Sequence, residues 1–204
     1  MRFILILTLF SQALFGQYFG QNKVQYNEFD WNFIVSPNFN VYYYGDNYDL
    51  AIFTSKVAEE SLDQIGKHLR WRSQQPIKII VYTSHNDFQQ TNIVNVYMSE
   101  GIGGVTELYK NRIVIPFEGS YAQFKHVIHH ELVHAIINDM VYGGNVQGVL
   151  SGRVLLQVPL WANEGLAEFL SVDWDTNTDM VLRDLAIEEN LPEIDQLNYS
   201  ILAY

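Results

Sequence analysis

One short motif constrains the fold of this 204-residue chain more than any other feature: the sequence HELVH at residues 130–134. The residues around it are mostly apolar, and Ser120 stands in an N-cap position, so the pattern predicts a long helix over residues 120–140 at the centre of its domain. On a helix, His130 and His134 lie one turn apart on the same face, and both imidazoles can reach a single metal ion. The chain is therefore expected to fold around a helix that carries a metal site.

Glu131 follows the first histidine and projects beside such a metal rather than onto it. There its carboxylate can take a proton from a metal-activated water and later deliver it to a leaving amine. The alternatives are a helix face that is merely solvated, or a buried histidine that merely finds a hydrogen bond. Burying two histidines and a glutamate on so apolar a helix costs several kcal/mol unless they are paired or bind metal, which favours the metal interpretation.

A second motif, LWANEGLAEF at residues 160–169, follows Pro159 and predicts another helix. It places Glu164 and Glu168 one turn apart on one helix face. A catalytic zinc ion commonly has three protein ligands, and two histidines with one glutamate form a recurring set, so Glu164 is the expected third ligand. Glu168 is placed to accept the free N–H of a ligand histidine. A solvated face is again the alternative, but the apolar residues around the pair argue against it.

Together, H-E-x-x-H and the later W-x-N-E-G-x-A-E resemble the gluzincin zinc metallopeptidases, and in particular the peptidase MA-like family, whose relatives include thermolysin and the zinc aminopeptidases. The resemblance covers about residues 105–171. It implies an α+β, zincin-like (thermolysin-like) catalytic domain with Zn²⁺ as cofactor, Glu164 as the third zinc ligand and Glu168 as the support of a ligand histidine. It also implies an edge strand ahead of the zinc helix, along which an extended peptide lies. The 29 residues between His134 and Glu164 exceed the interval of many zinc aminopeptidases, which argues against a close relation to them.

The remaining pattern predicts a small sheet followed by helices. Strands are expected at residues 39–44, 77–83 and, as a hairpin, 105–109 and 112–117, while further helices are expected at 48–71, 159–170 and 179–190. Which strand of the hairpin is the exposed one stays open. Residues 17–36 show no helical period and are expected to wrap the domain edge.

Two neighbouring histidines are not expected to bind the same metal ion. His126 and His134 lie about 12 Å apart along a straight helix, so one ion cannot join both, and His126 is expected to line the pocket or support a ligand. His129 lies off the metal face. The group that stabilises the oxyanion stays open, with Tyr199 and Tyr204 as the downstream candidates.

Composition excludes several other functions. The net charge is −11 and no run of Lys and Arg occurs, so nucleic acid and anionic membrane surfaces are not expected partners. The absence of cysteine excludes disulfides, thiolate metal sites and cysteine nucleophiles. The chemistry expected of this chain therefore rests on histidine and carboxylate groups.

Residues 1–16 have the three parts of a secretory signal peptide: Arg2, an apolar run, then small and polar residues. A membrane anchor is the alternative, but the apolar run falls short of the ~20 residues that a spanning helix needs. We therefore expect the signal to be removed, the protein to be exported to the periplasm or beyond the cell, and no spanning segment to remain. Residues 17–204 are expected to form one metallopeptidase domain that is truncated at its C-terminal end.

The leading hypothesis is an exported zinc metallopeptidase that hydrolyses peptide or protein substrates. Two rivals stay open: a catalytically weak or inactive zinc-binding scaffold of a larger cell-envelope protein, and a metal hydrolase that acts on something other than a peptide. Glu131 argues against the scaffold, because binding a metal does not require that residue.

Overall fold

The computed structural model describes residues 26–73, 75–92, 102–107, 111–142, 158–172, 176–194 and 196–199. The strands in this part of the chain are β1 (Trp31–Val35), β2 (Phe39–Tyr44), β3 (Ile77–Tyr82), β4 (Val105–Glu107) and β5 (Arg112–Pro116). The α-helices are α1 (Tyr48–Leu69), α2 (His85–Phe88), α3 (Tyr121–Tyr142), α4 (Leu160–Val172) and α5 (Thr176–Ile187), followed by a 3₁₀ turn at Gln196–Tyr199. The domain is therefore α+β, as predicted, while the predicted signal peptide lies outside the described residues.

The five strands form one mixed sheet in the order β1-β2-β3-β5-β4. β2, β3 and β5 run parallel, and β1 and β4 pair antiparallel with β2 and β5 at the two edges. β3, at the position of the strand predicted over residues 77–83, is the central strand of the five. The predicted hairpin is also confirmed, with Thr106 opposite Ile113. Its exposed member is β4, which lies at the sheet edge and pairs with β5 alone among the described strands.

The core lies between the sheet and the two long helices α1 and α3. Alternate residues of the parallel strands point towards these helices and are almost fully buried: Phe39, Val41, Ile77, Ile79, Val81, Ile113 and Ile115. Ile128, Leu132 and Ile136 of α3 are fully buried against them. Burying each such side chain stabilises the fold by about 1.5–3 kcal/mol. Because its apolar residues are buried against the sheet, α3 is the central helix that its motif predicted. α4 packs on α3 and brings the second motif beside the first.

Two elements, β1 and α5, differ most from prediction. β1 was not predicted, and residues 31–35 form a strand where no regular element was expected. Its side chains are largely exposed, with Val35 at 69%, so it lacks the alternating burial that marks a strand in a sequence, and pairing with β2 holds it in place. α5 covers residues 176–187 rather than 179–190, and it buries no side chain that would have fixed its ends. None of the described helices is both long enough and apolar enough to cross a membrane.

Candidate metal centre

Three polar side chains from two helices converge at one point. His130 and His134 project from the same face of α3, and Glu164 projects from the first turns of α4. The two Nε2 atoms lie 3.1 Å apart. Glu164 Oε2 lies 3.4 Å from His130 Nε2 and 3.2 Å from His134 Nε2. The structure therefore brings together the three residues that the two motifs predicted to be ligands.

These separations fit a metal ion. A tetrahedral zinc ion with bonds of about 2.0–2.1 Å holds its ligand atoms about 3.3 Å apart, close to the three distances here. Two imidazole nitrogens and a carboxylate oxygen are a common zinc donor set. A metal ion placed between the three atoms would accept a lone pair from each of them. His130, His134 and Glu164 are accordingly one of two His/Glu groups in the described part of the chain whose geometry could hold a metal.

The charges of the site favour a cation next to an ionised carboxylate. Burial would raise the pKa of Glu164, but hydrogen bonds from His130 and His134 and the charges of both rings lower it to about 2. Burial would lower the pKa of His130, yet the hydrogen bond to Glu164 and three neighbouring carboxylates raise it above its ordinary value. Both pKa shifts mean that positive charge is stabilised at this point, and a bound metal ion would supply such charge.

Glu168 lies one turn after Glu164 and contacts the far side of the His130 ring. Its Oε2 is 3.2 Å from His130 Nδ1 and 3.5 Å from His126 Nε2. It can thus accept the N–H of His130 while the other ring nitrogen, Nε2, faces His134 and Glu164. His126, His130 and Glu168 form the second group able to hold a metal. In it His130 would offer Nδ1, the nitrogen that must carry a proton if Nε2 is to bind an ion as a neutral ring, so we interpret this group as hydrogen-bonded.

Glu131 does not join the three converging atoms but lies between α3 and the edge strand β4. It is 7% exposed. Burial raises its pKa above the ordinary value, opposed by the charge of His134 and by a hydrogen bond from Thr106. Thr106 Oγ1 is 2.6 Å from Glu131 Oε2. The carboxylate therefore lines the same cleft as the candidate metal ligands, and a contact from another element holds it.

A cleft of about 780 Å³ opens over these residues. Its lining combines the helix face of α3, the start of α4 and the segment leading into β4: Ile102, Gly103, Gly104, Val105, Thr106, His126, Val127, His130, Glu131, His134, Asn138, Asn163, Glu164 and Glu168. His126 thus lies in the wall of the cleft, as expected.

Some residues of the site were not predicted, and some predicted candidates lie elsewhere. Thr106 was not predicted, because neither motif contains it. His129 is buried away from the cleft, where burial and neighbouring positive charges lower its pKa to about 4. Tyr204 and the side chain of Tyr199 lie outside the described part of the structure.

Comparison with known families decides what kind of domain this is. Residues 57–201, more than two thirds of the chain, match the family model described as the Peptidase MA superfamily. The chain belongs to the Peptidase MA superfamily. The match extends from α1 to beyond the 3₁₀ turn and contains both motifs, so the family inferred from their resemblance is confirmed. No match was found among curated proteins or among solved structures. Membership of the Peptidase MA superfamily indicates a metallopeptidase type of domain, a metal as its cofactor and peptides or proteins as its substrates.

Proposed function

We propose that the chain is an exported, zinc-dependent metallopeptidase with a thermolysin-like arrangement of its active site. The observation that carries this proposal is the convergence of His130, His134 and Glu164 in a cleft, with the buried carboxylate of Glu131 beside them. Family membership supports the reaction class. The chain's own geometry supports the assignment of roles.

In this proposal His130, His134 and Glu164 hold the zinc ion, and Glu168 fixes the tautomer and orientation of His130 through its Nδ1–H. A bound zinc ion would supply Lewis-acid chemistry, polarising the scissile carbonyl and lowering the pKa of water. Because the ligands come from two helices that pack on each other, their positions are set before any metal or substrate arrives. Such preorganisation is what a catalytic metal site requires.

Glu131 moves the protons. It takes one from the attacking water as the water oxygen forms a bond to the carbonyl carbon, and it delivers that proton to the amide nitrogen as the C–N bond breaks. The products are a carboxylic acid and an amine. Burial, which raises the pKa of Glu131, favours a carboxylate that binds a proton readily and can act in both steps.

The edge strand β4 would align the substrate. Among the described strands it pairs with β5 on one side, and its residues Val105 and Thr106 line the cleft, so an extended peptide could add a strand at its other edge through backbone hydrogen bonds. Backbone pairing accepts many sequences and fixes the position of the scissile bond relative to Glu131. The substrate is therefore proposed to be an unfolded or loop segment of a protein.

The decisive experiment compares the zinc-loaded wild type with Glu131→Gln and with Glu188→Gln, a matched control at an exposed position. We expect cleavage of an unstructured protein by the wild type and the control, and at least a 10³-fold lower kcat for Glu131→Gln with zinc content unchanged. Zinc bound by an inactive wild type would instead favour the scaffold alternative. Hydrolysis of small esters without cleavage of any peptide would favour the non-peptide hydrolase.

The ligand assignment and export have their own measurements. Glu164→Ala should lower zinc affinity by a factor of 10³ or more, on the order of the loss of one of three ligands, whereas full zinc retention would refute its role. Export is proposed from the N-terminal sequence alone. Sequencing the N-terminus of protein recovered outside the cytoplasm should show that residues 1–16 are missing, and an intact N-terminus would contradict the signal peptide.

A further inference from the structure

We propose that Thr106 is a positioning residue for Glu131, and that β4 therefore serves the proton transfer as well as the alignment of substrate. The inference deepens the proposed function and rests on it, because it assigns a partner to the residue proposed to move the protons. It is carried by the hydrogen bond from Thr106 and by the close approach of Gly104 to the same carboxylate.

The hydroxyl of Thr106 reaches Glu131 at two points. Oγ1 lies 2.6 Å from the carboxylate oxygen Oε2 and 3.0 Å from the backbone oxygen of Glu131. A hydroxyl carries a single hydrogen, and the shorter contact to a charged oxygen is the stronger one. The hydrogen bond thus joins the tip of the Glu131 side chain to a strand 25 residues earlier in the chain, not merely to its own helix.

Gly104 bounds the carboxylate from the other end. A methyl group at this glycine would lie 2.8 Å from Glu131 Oε1 and 2.9 Å from Glu131 Cγ, closer than real contacts allow. Gly104, just before β4, and Thr106, within it, both lie against Glu131 of α3. The side chain of Glu131 lies between these two residues. It has space at one end because Gly104 lacks a side chain, and at the other end the hydroxyl of Thr106 donates a hydrogen bond to it.

In the carboxylate of Glu131, Oε2 therefore accepts a hydrogen bond from Thr106, and we infer that Oε1 is available to a water molecule. Rotation about the last bond of a glutamate side chain is broad, so an unsupported carboxylate samples many orientations. With Oε2 held by Thr106, Oε1 keeps one place from which it can accept the proton of a water molecule. A misplacement of about 1 Å in such a group can cost on the order of 10²-fold in rate.

The test replaces the hydroxyl and keeps the shape. Thr106→Val removes the hydrogen bond, Thr106→Ser restores the hydroxyl, and Thr83→Val is the matched control, because it breaks a 2.7 Å hydrogen bond to Tyr44 outside the cleft. With the zinc-loaded full chain, we expect Thr106→Val to lower kcat by about 10- to 100-fold with KM and bound zinc within twofold of wild type. Thr106→Ser should recover most of that loss, and Thr83→Val should leave kcat unchanged.

Two further variants and readouts keep the outcome clear. Gly104→Ala pushes on the same carboxylate from the other side and should lower kcat although Thr106 is intact, so it replaces Thr106→Val if that variant fails to fold. In crystals of zinc-loaded Thr106→Val the Glu131 carboxylate should occupy more than one orientation, and in Thr106→Ser only one.

Three results would overturn the inference: an unchanged kcat in Thr106→Val, an equal loss in Thr83→Val, or a raised KM with kcat intact, which would make Thr106 a substrate or strand anchor. The activity of the zinc-loaded wild type tests the proposed function separately. If wild type binds zinc and is inactive, the peptidase proposal fails, while the orientation of Glu131 in the crystals still decides whether Thr106 holds it.

Discussion

His129 and His130 are adjacent in sequence and meet opposite environments. One step along an α-helix turns the side chain by about 100°, so His130 faces the cleft and its carboxylates while His129 enters apolar surroundings. Burial and nearby positive charges lower the pKa of His129 to about 4. It is therefore neutral in the folded protein at pH values where an exposed histidine carries a proton.

This difference predicts how stability depends on pH. Because the pKa of His129 is about 4 when folded and near 6.5 when unfolded, its contribution is full above pH 6.5 and is lost as the pH falls towards 4. Between pH 7.5 and pH 5 the loss from this group amounts to about 1–2 kcal/mol. In urea unfolding of the metal-free protein, His129→Leu should reduce the drop in unfolding free energy over this range by that amount.

Ile136→Val, which shortens a fully buried and non-titrating side chain of the same helix, is the control and should keep the wild-type pH dependence. A His129→Leu variant that loses as much stability between pH 7.5 and pH 5 as wild type would show that His129 is protonated in the folded state.

The role of a residue can be predicted from sequence when its contacts lie within one element, and not when they depend on how distant elements pack. The convergence of His130 and His134 follows from the helix repeat alone, and the approach of Glu164 from the companion motif. Thr106 could not be predicted in the same way, because its contact with Glu131 depends on the register of a hairpin and on the height at which α3 crosses β4. Neither quantity is encoded within either motif.

At the scale of elements, the β1–β2 turn is anchored to α1 by one carboxylate. Glu59 accepts hydrogen bonds from the hydroxyl of Ser36 at 2.7 Å and from the backbone and side-chain nitrogens of Asn38 at 2.9 and 2.7 Å. β1 itself exposes most of its side chains, so little apolar burial holds it. The anchor and the pairing with β2 together keep this edge of the sheet in place.

Glu59→Ala should therefore destabilise the protein by about 1–2 kcal/mol, less than the sum of three charged hydrogen bonds because the site is partly exposed. Glu60→Ala, at the neighbouring exposed position on α1, removes a carboxylate of the same charge and should change the stability by less than about 0.5 kcal/mol. Thermal or urea unfolding measures both. Equal effects of the two variants would mean that the turn does not depend on Glu59.

The same contrast explains which elements could be predicted. α1, α3 and α4 have apolar residues at the helical period, and β3 is an apolar run in the middle of the sheet, so their existence follows from the sequence. β1 has no buried face to leave such a pattern. The packing of α4 on α3 could not be predicted, because the sequence of residues 143–157 between the two helices has no periodic pattern.

For the molecule as a whole, the proposed metal ion would tie together two helices that belong to different parts of the chain. A ligand that binds only the folded state stabilises it by RT ln(1 + [L]/Kd). Free zinc at 100 times its Kd should therefore add about 2.7 kcal/mol, which raises the melting temperature by roughly 5–10 °C for a domain of this size.

Calorimetry with zinc and with a chelator measures this difference, and Glu164→Ala serves as the control that should show little of it. A wild-type melting temperature that does not respond to zinc would contradict binding to the folded state. Because the shift does not require catalysis, it also separates loss of metal from loss of activity in every variant described above.

The arrangement of β4 has a consequence for how such a protein can diverge. In the proposed binding mode a peptide pairs with the backbone of β4 and does not contact its side chains, while the Thr106 side chain and the bare Cα of Gly104 lie against Glu131. Contact with Glu131, rather than contact with the peptide, therefore limits which substitutions residues 104 and 106 can accept. New preferences for substrate would have to arise elsewhere along the cleft, at His126 or Val127 for example, while residues 104 and 106 stay as they are.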